Sequence, residues 1–106
     1  MDFAVLTERA FAVRAEYERR ERQMYGRAWT LEDLALGLVG DVGDLAKLVQ
    51  AYNGVRDIEN VDSGLAHELA DVLWSVIVIS KRCEIDLESA FLRTMDELSA
   101  SSVNPP

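Results

Sequence analysis

Proline is almost missing from this chain of 106 residues: Pro105 and Pro106 are the only two, and both lie at the very end. Nothing upstream is therefore barred from a helix, and abundant Ala, Leu, Glu and Arg favour an all-helical chain. Cysteine occurs once, as Cys83, which excludes a disulfide framework and a Cys-rich zinc site. Its expected role is that of a small buried hydrophobe. Histidine also occurs once, as His67, too few for a di-iron bundle built on paired Glu-x-x-His motifs. Positive charge is scarce, with 11 Lys and Arg against 19 Asp and Glu and a net charge of −8. That balance argues against nucleic-acid polymers and anionic membranes as partners, since both are bound through clustered Lys and Arg. It leaves room for a small anionic ligand held through a divalent cation. No signal-peptide pattern opens the chain and no apolar run reads as long enough to span a bilayer, so the expected location is the cytoplasm.

What is present is hydrophobic at 49%, enough for one globular domain. We assign the domain to residues 1–100, followed by a frayed tail over 101–106. Phe3, Leu6, Ala10, Val13, Tyr17 and Met24 recur at helical spacing, with "EYERRERQ" as a polar outer face and Gly26 as the stop. Thr30 reads as the N-cap of a second helix, with Glu32 and Asp33 in its first turn, running to about Tyr52. "NGVRDIENVDSG" reads as a polar loop. A third helix, "LAHELADVLWSVIVISKRC", is apolar nearly all round in its second half and must be covered on several sides, partly by another subunit. Asp86 caps a fourth helix, "LESAFLRTMDEL". The expected fold is all-α, a four-helix bundle completed by oligomerisation as a homodimer or homotetramer, the two-fold dimer being the simpler assembly.

Within the second helix, "LALGLVGDVGDLAKLV" holds three glycines and two aspartates among leucines and valines. Interior glycines weaken a helix, and acids on an apolar helix are costly unless compensated. Four acid pairs at i, i+3 spacing occur, against about three expected by chance, so number carries no signal. Context does. Glu18/Glu21 and Glu59/Asp62 lie in a polar face and a loop, where solvated surface explains them. Asp41/Asp44 and Glu68/Asp71 lie on the two most apolar helices, where gathered carboxylates raise one another's pKa unless a hard cation such as Mg²⁺ takes them as ligands. The alternative is a set of salt-bridged carboxylates at a bundle edge. Gly37, Gly40 and Gly43 beside them leave room for a close helix or a bulky ligand.

Lys47, one turn beyond Asp44, could reach a phosphate, although a solvated helix lysine explains its position as well. Trp29 and Tyr25 could wall a nucleobase, or could instead staple the entrance of the second helix. Trp74 reads as core packing with one edge on the pocket. His67 points about 100° away from Glu68 around the helix and is not expected to be a ligand.

"LVGDVGDLAKLV" followed by "HELADVLWSVIVISKRCEIDLESAF" resembles the MazG-type all-α nucleoside triphosphate pyrophosphohydrolases, in their dCTP pyrophosphatase-like branch, over roughly Leu34 to Met95. The resemblance implies a Mg²⁺- or Mn²⁺-dependent enzyme that cleaves a nucleoside triphosphate between its α and β phosphates. It also implies that Asp41, Asp44, Glu68 and Asp71 are metal ligands with the catalytic role. This chain departs from the family pattern in three places. Both members of the first acid pair are Asp where relatives carry Glu. Gly40 stands where many have a further acid, and Thr94 and Leu98 stand where many have Lys and Asn. A non-catalytic relative that binds metal and nucleotide is one alternative, and a structural interaction module is another.

Overall fold

The computed structural model describes residues 2–103, which form four helices in chain order: α1 (Phe3–Tyr25), α2 (Leu31–Tyr52), α3 (Val61–Arg82) and α4 (Leu87–Val103). The punctuation is local chemistry. Asp2 caps α1 by accepting from the Val5 N–H, and Gly26, at φ 76, closes it with its own N–H on the Arg22 carbonyl. This is the left-handed turn that glycine adopts without a side-chain penalty. Thr30 and Asp33 form a reciprocal capping box at the start of α2, and Arg27 reaches the Asp33 carboxylate at 2.9 Å. Asp86 caps α4, accepting from both the N–H and the hydroxyl of Ser89.

Two boundaries differ from the sequence expectation. α3 begins at Val61, four residues before Leu65, so "VDSG" is its first turn rather than loop, entered through Asn60 at φ 53. Gly64 is there for packing: a Cβ on it would stand 3.1 Å from the Leu48 side chain of α2. α4 continues to Val103, because "SASSV" holds no residue that stops a helix. Helix thus replaces the tail expected from Ser101 as far as Val103, and residues 104–106 lie outside the described residues.

α3 is central. It packs along α2 and, less extensively, against α1, whereas α4 stands off from the other three. Ala10, Leu34, Ile77 and Val78 form the buried apolar centre. By length and a mean hydropathy of 1.3, α3 could cross a bilayer, contrary to the sequence reading that no run is long enough. It carries Glu68 and Asp71, however, and lies against two other helices. Cys83, expected to be buried, is exposed just beyond the end of α3.

Much apolar surface remains open. Leu36 and Val39 on α2 are 70% and 69% exposed, and Phe91, Leu92 and Leu98 on α4 are all more than half exposed. The radius of gyration is 16.8 Å, against about 13 Å for a compact chain of this length.

Candidate metal centre and adjoining cavity

The side-by-side packing of α2 and α3 brings three of the four predicted acids together. Asp41 and Asp44, one turn apart on α2, and Glu68 on α3 each offer a carboxylate oxygen within 4.8 Å of the others. The Glu68 Oε2 atom is buried and has no hydrogen-bond partner among the described residues. Among the described residues no Lys or Arg forms an ion pair with any of the three, so the salt-bridged alternative does not describe this cluster. The electrostatic result is direct. Burial, then the charges of Asp41, Asp71 and Asp44, push the Glu68 carboxyl above its ordinary value. Burial, then Asp71 and Asp44, do the same to Asp41.

Asp71 stands one turn along α3 from Glu68. It is close enough to act on both Asp41 and Glu68, but its own carboxylate is engaged with His67, Nε2 to Oδ2 being 3.1 Å. Measuring His67 against Glu68 misses this contact: the i, i+4 spacing sets the imidazole over Asp71 instead. Three all-oxygen donors, one with an orphaned buried lone pair, suit a hard divalent cation.

Beside the acids lies a cavity of about 620 Å³ between α1 and α3, into which the α1–α2 connection brings Trp29. Trp29, Tyr25 and Trp74 line it together with Tyr17, and Asp71 forms part of its wall, so aromatic surface and acidic cluster adjoin. Trp74 is fixed by donating its Nε1–H to the Ala10 carbonyl at 3.1 Å, and Tyr17 packs tilted against it with ring centroids 6.0 Å apart. Lys47 is exposed and lies outside this cavity.

The three glycines divide. Gly37 lies under the Trp29 ring, 3.7 Å from where its Cβ would be, while nothing among the described residues comes within 4 Å at Gly40 or Gly43. Among the described residues no helix uses the space those two leave.

Sequence reasoning missed Glu21. Expected on a solvated face, it is 7% exposed. It pairs with Arg14 through both carboxylate oxygens, with Arg14 Nη1 at 2.9 Å from Oε2, and accepts from the Trp29 N–H at 2.8 Å. Its i, i+7 spacing from Arg14 was the available signal, although exposed pairs share it.

Known proteins similar to this chain bear on the site. The rat (Rattus norvegicus) dCTP pyrophosphatase 1 is 38% identical over 69 residues, covering 60% of this chain and 41% of that protein. The human (Homo sapiens) dCTP pyrophosphatase 1 is 38% identical over 71 residues with the same coverage, and the mouse (Mus musculus) protein is 35% identical over 69. The chain thus spans about two fifths of the length of these curated relatives. The sequence model of the MazG nucleotide pyrophosphohydrolase domain matches residues 29–101, which take in Trp29, all four acids and helices α2 and α3 but not α1. With the four-helix fold and the acids of α2 and α3 in place, this chain belongs to the MazG nucleotide pyrophosphohydrolase domain family.

Proposed function

We propose that the chain is a divalent-metal-dependent nucleoside triphosphate pyrophosphohydrolase of the nucleotide pool, converting a (d)NTP and water to the (d)NMP and pyrophosphate in the cytoplasm. The observation that carries this reading is the unpaired carboxylate cluster of Asp41, Asp44 and Glu68 set against an aromatic cavity whose wall includes Asp71. Asp41, Asp44 and Glu68, with Asp71 beside them, would hold Mg²⁺ or Mn²⁺. Bound there, the cation would neutralise triphosphate charge and lower the pKa of an attacking water.

The chain's own residues do the rest. The cluster confines three acids within a few ångströms, with a fourth, Asp71, beside them, so a nucleotide enters only with its charge compensated. Trp29, Tyr25 and Trp74 offer flat faces for a base, and the cavity is large enough for one. Asp71, kept in place by His67, lies between the two regions, where a carboxylate can accept the water's proton. Lys47, one turn past Asp44 on the solvent side, is the nearest cation along α2 for the outer phosphates.

The same reading includes a second copy of the chain. An accessible surface of 7979 Å² exceeds that of a compact monomer of this mass by about 2,000 Å². This is the amount each partner of an extensive homodimer covers. The open faces of α2 and α4 are where it would be lost.

The test is pyrophosphate release by purified protein across the eight common NTPs and dNTPs, with Mg²⁺, with Mn²⁺ and with EDTA. Steady release from one or a few nucleotides, abolished by EDTA, is the expected result. Silence across the panel from folded protein would leave the non-catalytic relative as the better reading.

A further inference from the structure

The buried Arg14–Glu21 pair lies on α1, ahead of the segment that the family match covers. Buried ion pairs stabilise a fold no better than well-packed apolar residues of the same size, because desolvation offsets the attraction. This one is also incompletely satisfied, since Arg14 Nε is buried without an acceptor. What the pair supplies that apolar residues could not is a fixed acceptor for a main-chain N–H outside any helix. Trp29 sits in the connection between α1 and α2, where no helical carbonyl serves its N–H. The Glu21 Oε1 atom takes that N–H at 2.8 Å. On the other side, Arg82 at the end of α3 donates to the Trp29 carbonyl at 3.4 Å, and the ring rests over Gly37 of α2. Side chains from α1 and α3 therefore hold the main chain of the residue whose indole α2 supports.

We propose that Glu21, locked by Arg14, is a positioning residue that sets Trp29 as the wall of the nucleotide cavity and so determines how tightly the nucleotide binds. The inference rests on the reading of that cavity as the nucleotide site. Arg14 and Glu21 line the same cavity, but both Glu21 oxygens are occupied by the guanidinium, and one also by Trp29, while the one unused donor of Arg14, its Nε, is buried. Their effect is transmitted through Trp29.

Two variants separate positioning from stability. Glu21→Gln keeps an acceptor for the Trp29 N–H but leaves the Arg14 charge buried without its counter-charge. The double variant Arg14→Met with Glu21→Leu removes both charges together with that acceptor. Tryptophan occurs only at 29 and 74, so each variant is also made with Trp74→Phe, where emission reports Trp29 alone.

In the double variant, folded by circular dichroism and with a melting temperature near that of the parent, nucleotide KM rises about 10-fold or more with kcat changed less than about 3-fold. Trp29 emission shifts to the red even without nucleotide. Glu21→Gln shows the reverse: a clearly lower melting temperature, with KM and Trp29 emission close to the parent. A double variant that does not fold, or that folds with the parent's KM and emission, would overturn the proposal. If the parent itself releases no pyrophosphate, the enzymatic reading fails separately, and the nucleotide-free emission of Trp29 still decides whether the clamp positions the indole.

Discussion

Asp41 and Glu68 are the residues whose protonation reports on the site. Both carboxyls are raised, first by burial and then by neighbouring acids. In metal-free protein the folded state therefore holds protons that the unfolded state releases just above the reference values of 3.8 and 4.5. Stability then falls as pH rises through that window, and acidifying metal-free protein from neutrality toward about pH 5 raises its melting temperature. Glu21 has the opposite sign. Burial alone would raise it, but the Arg14 guanidinium and the Trp29 N–H together hold it below 4.5. Its contribution is present above that value and disappears as pH falls through its lowered one, so the gain on acidification reverses in strongly acid solution. Melting curves across pH, with and without Mg²⁺, check both limbs, and saturating cation should flatten the upper one. Asp41→Asn removes one of the mutually repelling charges. It should stabilise metal-free protein by about 1 kcal/mol while weakening divalent-cation binding at least about 10-fold. A stabilised variant with unchanged cation affinity would mean that the cluster binds nothing. The acids were legible in the sequence because carboxylates stand out on apolar helices. Glu21 was not, because "EYERRERQ" looks the same whether its third acid faces water or the connection to α2.

The helices themselves followed from periodicity and caps, and all four were expected near where they occur. Where the start of α3 moved, the cause lay outside the local sequence. Gly64 resembles a turn residue, yet it is the point where α3 meets Leu48. Gly64→Val should therefore cost about 1–3 kcal/mol through overpacking. Gly40→Ala and Gly43→Ala meet nothing within 4 Å among the described residues and should each stabilise an isolated chain by about 0.5–1 kcal/mol through helix propensity alone. Thermal unfolding of the three variants gives the order directly. If a second copy covers this face of α2, the two alanines will instead lower the association constant, which a dilution series detects. The separation of α4 from the bundle could not be read from its pattern, since an amphipathic helix carries the same apolar stripe whichever surface covers it.

For the whole molecule, the radius of gyration and the open apolar faces of α2 and α4 are the features on which the proposed second copy rests. Replacing Phe91 and Leu98 together with Asp should yield a monomer by sedimentation while leaving the α2–α3 packing, and with it helical content, nearly intact. A wild-type chain that sediments as a monomer at all concentrations would remove the second copy from the account. The acidic balance of the chain, at −8, makes sense at this scale as well: such a molecule holds an anionic nucleotide only with a cation between them.

That cation is the central claim, and calorimetric titration of metal-free protein with Mn²⁺ tests it most directly, wild type against Glu68→Gln. The account predicts saturable binding by the wild type, with proton release that grows as the pH is lowered toward the raised carboxyl values, and at least about 10-fold weaker binding by Glu68→Gln, because an amide oxygen replaces the buried, unpartnered carboxylate oxygen. Absence of Mn²⁺ binding to folded wild type, or equal binding by the two proteins, would contradict it.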